Sequence, residues 1–179
     1  MQKLFVAVVT VGSLSISVSS IAQDHGMMHQ KHMMQSETSQ SDTRIPVAMP
    51  TPMRQHMLTN MRDHLSAMSE ILTAMSQREY AKAADISEKR LGMNSPSAAG
   101  CSDDSSPPSS SRGNMDQQMT NMMPEGMRQI GLNMHKAAND FSAEARKANK
   151  SGNDKKTLAS LAKVTEQCTA CHSTYKVNQ

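Results

Sequence analysis

The cluster Cys168-Thr169-Ala170-Cys171-His172, close to the end of a 179-residue chain, constrains the fold more than any other feature. The spacing C-x-x-C-H is the attachment signal for haem c. Two thiols separated by two residues add across vinyl groups as thioethers, and the histidine that follows is held under the iron as an axial nitrogen. The porphyrin then becomes a covalent part of the chain, one haem c for one motif. A thioredoxin-like pair would need an α/β pattern around it, and nothing in the sequence reads as β. A zinc ribbon would need a second Cys or His pair, and the other cysteine is a solitary Cys101.

The amino terminus supplies a matching address. Lys3 precedes an apolar run from Leu4 to Val11, and the small residues of Ser20-Ile21-Ala22 suit cleavage after Ala22. Residues 1–22 therefore read as a signal peptide, too short and serine-rich for a membrane anchor. Haem c is attached outside the cytoplasmic membrane, so motif and leader both point to the periplasm. No membrane anchor is expected after cleavage. The formal charge of +3, or +2 once Lys3 leaves, is too small to imply nucleic acid or an anionic membrane as partner.

Methionine dominates the apolar set: 18 Met stand against two Phe, two Tyr and no Trp. Such a core lacks large rigid fillers, and methionine moulds readily around another body. A haem would supply the missing flat bulk. Residues 23–49 show no sustained apolar period and read as unstructured. From Pro50, Met53, Met57, Met61, Leu65, Met68, Leu72 and Met75 recur at steps of three and four, predicting a helix of about 25 residues. A second helix is expected over Arg78–Leu91, with Gly92 as its stop. Residues 94–114 carry Asn, Ser, Pro, Gly and Asp and are expected to form a long polar loop. A third helix should begin around Met123-Pro124-Glu125 and end near 149–153, with Met127, Ile130, Met134, Ala138, Phe141 and Ala145 at helical spacing. A fourth should start at Asp154 and carry Leu158, Leu161, Val164 and the haem motif. Short links within each pair and one long connection between pairs predict an all-α antiparallel four-helix bundle over 50–178.

A C-x-x-C-H motif on the last of four helices resembles the class II c-type cytochromes, the cytochrome c′ family. The likeness extends to the first helix, where Arg54-Gln55-His56-Met57-Leu58 is similar to the family pattern of an Arg-Gln pair ahead of the distal residue. The resemblance implies that Arg54 and Gln55 lie at the haem edge, Arg54 near a propionate. It places Leu58 at the distal position, leaving His172 as the sole strong ligand of a five-coordinate iron. Met57 and Met61 lie within reach of the same face and are alternative sixth ligands. His56, His64 and His135 read as surface or core-edge residues. The resemblance also allows for a homodimer.

Two features stand outside that pattern. His25, Met27, Met28, His29, His32, Met33 and Met34 crowd a short polar stretch whose thioethers suit Cu(I) and whose imidazoles suit Cu(II). A solvated leader without function is the alternative. Cys101, in the polar loop, is expected to be an exposed thiol or an intermolecular disulfide partner. Three function classes remain. One is electron transfer with periplasmic redox partner proteins. The second is a five-coordinate haem module taking up NO or CO as a diatomic gas ligand. The third is copper handling through the Met/His-rich tail. No nucleophile–base pair accompanies the motif, so no enzyme activity is expected.

Overall fold

The computed structural model describes residues 41–101 and 111–178. The proposed leader, the Met/His-rich tail up to residue 40 with its copper residues, and residues 102–110 of the polar loop lie outside them. Among the described residues there are five α-helices, one 3-10 turn and two short strands. β1 is Ile45–Val47 and α1 is Thr51–Ser76. α2 is Tyr80–Arg90, followed by the 3-10 turn Pro96–Gly100. α3 is Ser111–Met122, α4 is Glu125–Ser151, α5 is Lys155–Thr174, and β2 is Tyr175–Val177. All belong to one compact unit, Thr43–Gln179. No helix among the described residues is long and apolar enough to cross a membrane.

The chain is all-α in class, as expected, with helix limits set by local signals. Pro50 and Pro124 stand at the N-caps of α1 and α4, where a missing N–H costs nothing. α4 ends at Gly152, which adopts the left-handed conformation (φ 71°) and returns its N–H to the Ala148 carbonyl at 2.7 Å. Links of three residues join α1 to α2 and α4 to α5, so each pair runs antiparallel.

The main core lies where four helices meet. α1 contributes Ala67, Ile71, Ala74 and Met75; α2 and its end contribute Tyr80, Ala83, Ala84 and Leu91. α4 adds Met134, Ala138, Phe141, Ala145 and Ala148, and α5 adds Leu161 and Val164. Seven of these fifteen core residues are alanines, which lets helix backbones approach closely. Between α2 and α4, the buried Ser87 hydroxyl donates to the Ala138 carbonyl at 2.9 Å. Arg90 ties α2 to α1 through Asp63 and Glu70, at 2.5 and 2.6 Å.

Several expectations are corrected. The expected four helices become five, because α3 begins inside the segment read as loop and brings Met119 into a second, methionine-rich cluster. The stretch before it is not a solvated loop: Ser95, Ser97, Ala98, Gly100 and Cys101 are buried. Small polar residues whose hydroxyls bond one another can enter a core without an apolar pattern. The methionine stripe of α1 is only partly inward. Met53 and Met57 are buried, but further on His64, Ala67, Ile71 and Ala74 take the core face. Leu65 and Leu72 are exposed, and Leu158 of α5 is likewise half exposed. Gly92 follows α2 without a left-handed φ. It is required by packing, since a Cβ there would sit 2.8 Å from the Glu88 carbonyl oxygen and strike the Asn139 side chain.

Two strands also break the expectation of a purely helical chain. β1 falls in the segment read as unstructured, and pairs in parallel with β2, with Ile45 opposite Tyr175 and Val47 opposite Val177. The Asn178 N–H extends the ladder to the Val47 carbonyl at 3.1 Å. A three-residue strand is too short to show an alternating pattern. Its effect is to strap the chain directly after the Cys-His motif to the residues just ahead of α1.

Candidate functional site

α5 carries the motif in its last turns, and β2 leaves directly from it. Cys168 is half-buried against the main core, its thiol directed to the Val164 carbonyl at 3.4 Å. Cys171, one turn later, packs against the methionine-rich cluster of Val47, Met57, Cys101, Met119, Met123 and Met127. Burial pushes both thiols above the usual cysteine range, and for Cys171 the neighbouring Cys168 adds to the effect. His172 is exposed at the helix end. Its carbonyl accepts a hydrogen bond from the Arg44 guanidinium at 3.3 Å, so the strap and the motif are joined on both sides.

Cys171 and His172 stand on the wall of a cavity of about 350 Å³. Cofactor and small-molecule pockets run from about 300 to 1,000 Å³, so the space is of the right order for an organic group. Thioethers dominate the lining: Met57 and Met61 from α1, Met119 and Met123 from α3 and its end, and Met127 and Met134 from α4. Tyr175 crosses the mouth from β2, close enough to α4 that a Cβ on Gly126 would lie 2.6 Å from its hydroxyl. Gly131 has the same role beside Cys101, whose sulfur lies 2.6 Å from where a Cβ would be. Both glycines keep α4 smooth where other side chains press on it.

Of the residues carried over from the family pattern, the cavity gathers Met57, Leu58 and Met61 with Cys171 and His172. Arg54 and Gln55 are on α1 but do not line it; Arg54 is half-buried and Gln55 exposed. Leu58 is 40% exposed and Met61 38%, so each meets the cavity only at its rim. Cys101, expected at the surface, is buried in the cavity wall because the 3-10 turn carries it against α4.

Two further histidines belong to the site, and their residue type alone does not mark them out. His64 and His135 were expected at the surface or core edge, yet they are 9% and 1% exposed and both line the cavity. Each is paid into the interior by a hydrogen bond: His64 Nε2 lies 2.8 Å from the Ser97 hydroxyl, and His135 Nδ1 lies 2.6 Å from the Leu91 carbonyl oxygen. Burial holds both imidazoles below the ordinary histidine value, His64 down to about 4, with the proximity of His135 contributing there. Both are therefore neutral at pH 7. Their one sequence signal is register, since His64 and His135 fall on the core-facing sides of α1 and α4.

The donor set has a definite chemical character. Neutral imidazoles and thioethers around an apolar space suit a borderline or soft transition metal held in an apolar organic frame. Of the two motif thiols, Cys171 lines this space, whereas Cys168 does not and packs against the main core. No protein-family model, curated protein or solved structure matches the chain. Among the described residues no group of three or more His, Cys, Asp or Glu converges as a metal-binding cluster.

Proposed function

We propose that the chain is a periplasmic c-type cytochrome that holds one haem c and serves in electron transfer. The observation that carries this reading is the shared wall: Cys171 and His172 border a methionine-lined, partly open cavity. Haem iron, when bound, supplies a one-electron couple whose potential follows from its axial ligands and its burial.

The remaining work falls to the protein's own side chains. Cys168 and Cys171 are the thiols that would form the thioethers, on one side of α5 and one turn apart. His172 would present an imidazole nitrogen from the same helix end. Met57, Met123, Met127 and Met134 enclose the apolar faces, and their flexibility lets the walls close on a flat body. Tyr175 and the β1–β2 strap hold the motif against the bundle.

Fixing the group covalently beside a half-exposed helix end suits a carrier, because an edge near the surface permits electron exchange with a partner protein. The test is a denaturing gel of the exported full-length protein stained for haem peroxidase activity. The expected result is a stained band at the monomer mass that is lost when Cys168 and Cys171 are both changed to Ala. Extraction of all haem into acidified organic solvent would overturn the reading.

A further inference from the structure

Resting on the haem reading above, we infer that His135 would be a second protein ligand of the iron, so that α4 as well as α5 would supply a histidine. The inference starts from one hydrogen bond. His135 Nδ1 lies 2.6 Å from the carbonyl oxygen of Leu91, and a carbonyl only accepts. The ring proton is therefore on Nδ1, and Nε2 carries the lone pair. An imidazole anchored through Nδ1–H to a backbone carbonyl, with Nε2 left to coordinate, is the usual posture of a metal-ligating histidine.

The surroundings leave that lone pair without other use. Nε2 takes part in no hydrogen bond with the described residues, although the residue is 1% exposed. Nor is the nitrogen sealed into solid core, where the orphaned side-chain atom among described residues is the Tyr80 hydroxyl. What remains is the cavity, which His135 lines together with His172. A nitrogen lone pair facing an apolar cavity is a strong acceptor with no donor beside it, whereas a thioether there needs none. That difference singles out His135 from the methionines on the same wall.

Leu58 and Met61 on α1 are weaker candidates. Leu58 has no donor atom, and both it and Met61 sit at the exposed rim. His64 Nε2 is engaged with the Ser97 hydroxyl, and no backbone carbonyl fixes its tautomer as the Leu91 carbonyl fixes that of His135. Its ring instead stands edge-on to His135, with centroids 5.9 Å apart and planes at 83°, which makes His64 a positioning residue for the ligand.

The experiment uses the full-length, haem-loaded protein purified after export, with covalent haem confirmed first by the gel stain. Low-temperature electron paramagnetic resonance and near-infrared magnetic circular dichroism are recorded on the oxidised form. The expected result is a low-spin iron with the near-infrared signature of two imidazoles, and a reduced form that does not bind CO. His135→Ala should convert the iron to high spin and open it to CO, and added imidazole should restore the low-spin spectrum. His135→Met, closer in volume, should replace the two-imidazole signature with that of histidine and thioether.

Covalent haem with high-spin iron in the unaltered protein overturns this inference and leaves the haem reading standing. So does a histidine–thioether signature in the unaltered protein, which would assign the position to a methionine. A two-imidazole signature that survives both His135 changes overturns it as well, and points to His64. Protein with no covalent haem overturns the haem reading and this inference together.

Discussion

The imidazoles of His64 and His135 meet edge to face inside the bundle, with ring centroids 5.9 Å apart, although the residues come from different helices 71 positions apart in the chain. Each ring is tied outward, to Ser97 and to the Leu91 carbonyl, and neither has a carboxylate in hydrogen-bonding contact. The pair therefore demands neutrality of both members in the folded state.

That demand predicts acid sensitivity. The folded-state value of His64 is lowered to about 4 from 6.5, first by burial and then by His135. Between those values the unfolded chain binds a proton that the folded chain does not, so stability falls as pH drops from 6.5 toward 4. At about 1.36 kcal/mol per pH unit the loss reaches roughly 3 kcal/mol. In the haem-free chain, to which these values belong, His135 is lowered as well and acts in the same direction. Urea midpoints measured across this range should decline in the native protein and decline less in His64→Gln. Equal slopes in the two proteins would refute the assignment.

Tyr80 offers a substitution that removes a cost. The residue is 3% exposed in the main core, and its hydroxyl has no hydrogen-bond partner among the described residues. Deleting that oxygen should relieve an unpaid desolvation of about 1 kcal/mol. Tyr80→Phe is expected to raise the unfolding midpoint or leave it unchanged. A clear drop would mean that the hydroxyl has a partner, such as an ordered water.

Gly131 and Cys101 should be energetically coupled. A Cβ at 131 would lie 2.6 Å from the Cys101 sulfur but 3.6 Å from its Cβ. Gly131→Ala is thus expected to destabilise by about 1 kcal/mol through overpacking, despite alanine's better helix propensity. In a Cys101→Ala background the same change should cost nothing or stabilise. A double-mutant cycle with no coupling would show that the turn and α4 do not meet at this point.

Ser87 tests the pairing of α2 with α4. It is fully buried, and its hydroxyl donates to the Ala138 carbonyl at 2.9 Å. Ser87→Ala keeps the volume and removes the bond, so thermal unfolding should fall by the equivalent of about 1 kcal/mol. Ser87→Val should cost more, because alanines on the facing helix leave no room for added methyl groups. A valine variant as stable as the native chain would contradict the close approach of the two helices.

Much of the helical frame was legible in the residues alone. Pro50, Pro124 and Gly152 mark ends by backbone chemistry that acts locally, and the spacing of Met53 and Met57 declares which side of α1 turns inward at its start. The placement of Cys168, Cys171 and His172 near the end of the last helix followed from the same periodicity. Beyond that point α1 has two eligible faces. Met61, Leu65 and Leu72 form the more hydrophobic one, yet His64, Ala67, Ile71 and Ala74 are the residues buried. Periodicity measures apolar content along one helix; it does not know that the neighbours on α2 and α4 present alanines and demand a small-residue face in return.

The cavity is the part that only tertiary structure decided. Its walls come from α1, α3, α4, α5, the 3-10 turn and β2, so no window of sequence contains it. Cys101 and Ser97 sit in a segment whose composition reads as solvent-exposed, and they are interior because that segment folds back against α4. His135 looked like one more helix residue until the Leu91 carbonyl, 44 positions earlier, fixed its proton on Nδ1 and left Nε2 to the cavity. Covalent chemistry is written in adjacent residues and survives reading along the chain, whereas a pocket is a relation among distant ones and exists only once their helices have packed.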